Sequence, residues 1–269
     1  MGNIIGASGK GNQCWAEDYS QPLPKHKRSR IPESPKNHPG KSPNLPNTPH
    51  RVNWTDGSGN VVPVAADAQI YGDPHFVGAE SGEYDIQGKP DTTYNILADK
   101  GIQVNATFHQ WDDAGSTVMG AMGITLANKD GGVDQIKIGK NGALTINGKA
   151  YKDDGAYLDG KVVKEGDNIT ITDEAYTLNV LAGAHLDIGF SAENVATDGI
   201  MPHGLWGQTA DGDGVRRDGD KGPGAQGGGA IELANGDISE PGDTTAVTLY
   251  AVDGLFDTSF EHFNKFADN

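Results

Sequence analysis

Asp73 stands directly before Pro74, and His75 follows. An aspartate carboxylate can attack its own main-chain carbonyl. The prolyl nitrogen is a good leaving group for that attack, because a tertiary amide is more easily twisted and protonated than a secondary one. The products would be a cyclic anhydride on Asp73 and a new N-terminus at Pro74. His75 suits a general acid toward the leaving nitrogen, and a nearby cation would stabilise the oxyanion. Asp73, Pro74 and His75 are therefore the candidate catalytic set, for self-cleavage alone. The competing reading has Asp73 cap a turn or bind metal while His75 packs in a sheet. In that reading the bond lies flat and extended within a strand, which keeps the carboxylate away from its own carbonyl.

A second chemistry lies downstream. Asp211, Asp213, Asp218 and Asp220 crowd into ten residues of a Gly-rich segment. Clustered carboxylates repel unless a cation or solvent screens them, and hard cations such as calcium take oxygen ligands. The spacing is not that of an EF-hand, because the fifth position from Asp211 is Val215. The alternative is a solvated acidic loop with Arg216 and Arg217 as internal counterions. The chain has no Gly-x-Ser-x-Gly elbow, His-Glu-x-x-His helix or phosphate loop, so the sequence speaks against a conventional enzyme acting on other molecules. His109, His185 and His203 fall on separate expected elements and read as satisfied strand or turn residues.

The elements that must position these groups are short strands. Thr117–Leu126 forms a long strand or hairpin. Gln135–Ile138 and Ala143–Ile146 alternate around Asn141-Gly142, a strong hairpin signal. Asn168–Thr172 and Tyr176–Leu181 predict a second hairpin, and His185–Phe190 alternates cleanly. Strands are expected again at Ala230–Leu233 and Val247–Tyr250, and a short closing helix over Ser259–Phe266. This pattern predicts an all-β chain, an antiparallel sandwich over residues 61–269.

The motifs resemble a known family. Tyr71-Gly72-Asp73-Pro74-His75-Phe76, followed by Glu83-Tyr84-Asp85-Ile86-Gln87-Gly88, is similar to the opening of a von Willebrand factor type D module. Thr93–Asp99 and Ile102–Ala106 resemble its next two strands. About 130 residues on, His203-Gly204-Leu205-Trp206-Gly207-Gln208 resembles the family's GLCG-N turn, and still more the version near the C-terminus of inter-alpha-trypsin inhibitor heavy chains. The resemblance covers roughly residues 69 to 266, its middle in strand pattern only. It implies a D-module sandwich that binds calcium through the acids after the turn, with Asp73 and Gln208 as further ligands. Some families sharing the Gly-Asp-Pro-His tetrapeptide cut the Asp–Pro bond; most D modules do not. Animal D modules are stapled by many disulfides, whereas this chain has one cysteine, Cys14, and Trp206 stands where the turn's cysteine would be. Stability must then come from packing or metal, with Trp206 filling the disulfide's space. The pattern suits a bacterial or phage relative.

Residues 1–60 are a different material. They carry 8 Lys and Arg against 4 Asp and Glu, and eight of the chain's 14 prolines lie between Pro22 and Pro49. Such a segment buries too little apolar surface to offset its ordering entropy and prefers extended polyproline II. It reads as a linker, or as an arm anchoring a protein partner or assembly. The whole chain carries −16, which argues against nucleic acid as a partner. No stretch has the length of a membrane span. The first residues lack a basic region followed by an apolar core, so the expected location is extracellular or particle-associated, reached without a classical signal. The expected function is a non-catalytic, calcium-binding interaction or structural module tethered by its arm. The alternative is a metal-triggered protein that cuts its own Asp73–Pro74 bond.

Overall fold

A computed structural model describes residues 53–55, 61–63, 68–80, 82–173, 176–192, 202–210, 217, 219, 231–240 and 245–260. In chain order the strands are β1 (Asn53–Thr55), β2 (Val61–Pro63), β3 (Gln69–Tyr71), β4 (His75–Val77), β5 (Glu83–Asp85), β6 (Thr92–Asp99), β7 (Ile102–Gln110), β8 (Thr117–Ala127) and β9 (Val133–Gly139). They continue as β10 (Ala143–Ile146), β11 (Lys149–Tyr151), β12 (Gly155–Tyr157), β13 (Val162–Glu165), β14 (Asn168–Thr172), β15 (Tyr176–Ala182), β16 (Leu186–Ala192) and β17 (Ala251–Val252). Among the described residues, the first two pair with each other alone.

The others build an antiparallel β-sandwich. One sheet has the order β11-β10-β9-β8-β7-β6-β17, the other β12-β13-β14-β15-β16-β3-β4-β5. The expected all-β architecture is therefore the one observed. One core joins the sheets, with Ile96, Val104, Met122 and Ile138 from the first and Ile70, Phe76, Tyr84, Leu178 and Ile188 from the second, all essentially inaccessible. β15 alternates buried and half-buried residues, as a strand with one covered face should. β6 and β8 are buried on both faces. Part of that cover is the segment at 254–257, whose carbonyls accept hydrogen bonds from Gln103 and Asn105 of β7.

Turn chemistry explains the hairpins. Gly139 pairs with Ala143, and Asn141 and Gly142 adopt φ of 56° and 69°, left-handed values that Asn and Gly tolerate best. β14 and β15 pair as expected, Thr172 opposite Thr177. Two expectations fail. Val247–Tyr250 belongs to a 3₁₀ turn, Ala246–Tyr250, not a strand. The apolar side chains of Ala246, Val247 and Tyr250 are inward at a three-residue spacing, which outweighs the β-branched composition. Around Ile231–Leu233 only an isolated bridge forms, Glu232 to Ile238. Of the expected arm, residues 1–60, Asn53–Thr55 is described and forms β1, paired with β2; the rest, and all of the expected closing helix beyond Phe260, lie outside the described residues.

Candidate functional site

The Asp73–Pro74 bond lies in a hairpin loop, not within a strand as the extended reading required. Tyr71 of β3 pairs with His75 of β4, and Gly72, Asp73 and Pro74 close the turn between them. The residue types dictate this. Gly72 sits at φ +64°, and a Cβ there would also press to 3.3 Å from the His75 ring. Pro74 has no N–H to give a ladder, so it belongs in a turn. The alternating partners Ile70 and Phe76 are buried and pin the hairpin to the core.

His75 faces Asp85 directly across the β4–β5 ladder. Its Nδ1 lies 2.6 Å from Asp85 Oδ1 and its Nε2 lies 3.0 Å from Asp73 Oδ1. Asp85 is buried, whereas Asp73 is partly open. With a carboxylate on each ring nitrogen, both nitrogens donate, which is the imidazolium state. The bond to Asp73, then that to Asp85, push the His75 pKa up to about 10, outweighing the effect of burial. Because folding raises this group above its ordinary 6.5, the bound proton stabilises the fold fully below that value. The contribution is lost as pH climbs through about 10. A ring ¹⁵N titration should find both nitrogens protonated at neutral pH, with the midpoint far on the alkaline side. A midpoint near the ordinary value would break the link between His75 and the two carboxylates.

The peptide units around the bond are held from three directions. Gly72 N–H donates to Asp187 Oδ1 of β16 at 3.0 Å, and the Pro74 carbonyl accepts from Ile86 N–H at 3.3 Å. The carbonyl of Asp73 itself accepts from the side-chain amide of Gln87. Asp187 also lies 3.2 Å from His185 Nε2 and raises that pKa as the largest cause. The exposed Trp111 meets His185 edge-on at 5.5 Å.

The second motif packs along β6. His203–Ala210 runs beside β6, with paired backbone bonds between Ala98 and His203 and further bonds from Leu205 and Trp206 N–H to the carbonyls of Asn95 and Ile96. The approach is close enough that a Cβ on Gly204, at φ +110°, would lie 2.5 Å from Asn95 Oδ1. Trp206 is fully buried, stacked on Phe190 at 3.8 Å with 6° between the rings, and its indole N–H donates to the Val77 carbonyl. His203 accepts from Gly204 N–H at Nδ1 and donates from Nε2 to Glu232 at 2.8 Å, a satisfied turn histidine.

Among the expected metal ligands, Asp211, Asp213, Asp218 and Asp220 lie outside the described residues. The two that are described are engaged apart from each other. Gln208 is inaccessible; its amide donates to the carbonyls of Gly204 and Leu205 and accepts from Glu232 N–H. Asp73 holds His75. Among the described residues, no three His, Cys, Asp or Glu side chains converge to hold a metal ion.

Two residues that stand among those acids, Arg217 and Gly219, are described. Arg217 is buried, and its guanidinium donates to the Gln208 carbonyl. Gly219 bridges to Tyr84 in parallel and donates its N–H to the Glu83 carbonyl at 3.0 Å. Gly82 permits this packing, since a Cβ there, at φ +90°, would meet the Arg217 carbonyl oxygen at 2.1 Å.

Sequence reasoning found Asp73, Pro74 and His75 and missed Asp85, Gln87 and Asp187 as members of the site. A signal existed for two of them. Tyr84 and Ile86 are core residues, so Asp85 and Gln87 alternate onto the face that carries His75. Asp187 had none, being 115 residues from its partner Gly72. No protein-family model and no curated protein matches the chain. Among the described residues no helix is long and apolar enough to cross a membrane.

Proposed function

We propose that this chain is a self-processing module that breaks its own Asp73–Pro74 bond. The observation that carries the reading is the placement of His75 between Asp73 and Asp85, on a prolyl bond held in a tight loop with Pro74 buried. A carboxylate oxygen of Asp73 attacks the Asp73 carbonyl carbon and a C–O bond forms. The C–N bond to Pro74 then breaks, and its electron pair takes the proton delivered by the His75 imidazolium. Asp85, buried and hydrogen-bonded to Nδ1, orients the ring and keeps it charged. The product anhydride takes up water and leaves Asp73 as a C-terminal residue with two carboxylates. No atom outside the chain and water is needed. The resemblance of the tetrapeptide and its following strand to modules that cut this bond points the same way.

The assay is direct. Refolded chain held near neutral pH should yield fragments 1–73 and 74–269, the second beginning at Pro74. The same chain in denaturant at the same pH should stay whole, because the catalytic set exists only in the hairpin. A single intact mass after a day of native incubation would overturn the reading.

A second reading, the calcium-binding interaction module tethered through residues 1–60, is favoured by the anchoring of Arg217 and Gly219 against the fold. Both residues stand in sequence among the acids expected to bind the cation. Native-state binding stabilises by mass action, about 2.7 kcal/mol at a hundredfold excess over Kd, or roughly 5–10 °C for a domain of this size. Calcium should raise the melting temperature by that amount, and Asp211→Asn with Asp213→Asn should remove the rise. Identical melts in calcium and in chelator would rule this reading out.

A further inference from the structure

We infer that Gln87 is a catalytic residue of this cleavage, the donor that receives the developing oxyanion; the inference rests on the self-processing reading above. When the Asp73 carboxylate adds to the carbonyl carbon, the π electrons move onto the carbonyl oxygen. That oxygen already accepts a hydrogen bond from Gln87 Nε2. The orientation of the amide is fixed by chemistry. Gln87 Oε1 accepts from the main-chain N–H of Thr117 at 2.8 Å and from the Thr117 hydroxyl at 3.0 Å. A main-chain N–H can only donate, so the amide oxygen must face Thr117 and the NH₂ must face Asp73.

The support is rigid. Gln87 follows β5 of the eight-stranded sheet, while Thr117 opens β8 of the seven-stranded one and is fully buried. The amide therefore spans the two sheets, and the donor is in place before charge develops. A donor preorganised in this way strengthens as the acceptor becomes negative and needs no rearrangement during the reaction. On collapse of the tetrahedral intermediate, the electrons return to the carbonyl, the C–N bond breaks, and Pro74 takes its proton from His75. Gln87 neither gains nor loses a proton.

Removing one such donor slows comparable reactions roughly 10²- to 10³-fold. Gln87→Glu keeps the shape and an acceptor for Thr117 but puts a negative oxygen beside the oxyanion. Gln87→Met keeps the length and removes the donor. Both should cut 10²- to 10³-fold more slowly than the parent, followed by intact mass after refolding. Thr117→Val, which keeps the main-chain N–H and drops one bond to Oε1, should slow cutting by less than roughly tenfold. Asp73–Pro74 is the sole Asp–Pro step in the chain, so ¹³C-carbonyl Asp with ¹⁵N-Pro labelling gives one coupled signal. That carbonyl signal should move upfield in Gln87→Met, a readout that mere destabilisation would not give. If Gln87→Glu does not fold, Gln87→Met and the carbonyl signal decide. Folded variants that cut within threefold of the parent, or an unmoved carbonyl signal, would overturn the role of Gln87 and leave self-processing standing. A parent chain that never cuts would remove both together.

Discussion

Asp73→Asn should leave the chain whole. The substitution is isosteric, and the amide oxygen still accepts from His75 Nε2, so the hairpin and its contacts persist. What is lost is the anionic nucleophile. Losing the nucleophile of a catalytic set slows reaction by roughly 10⁴-fold or more, because the remaining groups have nothing to assist. Asp73→Glu separates chemistry from mere charge: it keeps a carboxylate but must close a larger ring from a displaced position. It should cut at a rate between the two. Intact mass and N-terminal sequencing over days give the comparison. An Asn variant that produces Pro74 termini as fast as the parent would mean that the carboxylate does nothing.

Trp206→Ala should cost about 3–5 kcal/mol, the usual range for emptying a buried aromatic site. The indole is inaccessible, stacked face to face with Phe190 of β16, and bonded through its N–H to Val77 of β4. It thus ties the His203–Ala210 turn to both strands that flank β3. Trp206→Phe keeps most of the volume but loses the indole bond to the Val77 carbonyl, a loss of about 0.5–1.5 kcal/mol. Urea unfolding measures both. The order Ala worse than Phe is required, since cavity and lost bond combine in the first. A cost under about 1 kcal/mol for Trp206→Ala would show that the turn does not rest on this ring.

Much of the sheet architecture was readable because strands and turns write local signals. Asn141-Gly142 predicts its hairpin through backbone preference alone, and the alternation in Tyr176–Leu181 predicts a half-covered strand. Val247–Tyr250 misled, because β-branched composition says strand while the burial spacing is three. The Asp73–Pro74 bond misled for a different reason: Gly72 and Pro74 are turn residues, and an expected strand overrode them. Of the site, the contiguous Asp73, Pro74 and His75 were legible. Asp85 and Gln87 needed the register of β4 on β5. Thr117 and Asp187 came only with the packing of one sheet on the other and of β16 on β3. The acids at 211, 213, 218 and 220 lie outside the described residues.

β3 has neighbours on both sides. Ile70 and Gln69 pair with Ile188 and Gly189 of β16, and the same strand pairs with β4 on its other edge. Phe190 N–H adds a bond to the Ala68 carbonyl, and Ile70 is buried in the core. A cut after Asp73 therefore does not free the first piece. It leaves a short strand plugged into the middle of a sheet, held by backbone bonds and a buried isoleucine. Such a nicked protein would elute as one particle in native buffer and part only in denaturant or under tension. Such a cut would convert a covalent tether into a clasp of limited strength, and whatever is carried on residues 1–73 would be surrendered by pulling, with no second chemical step.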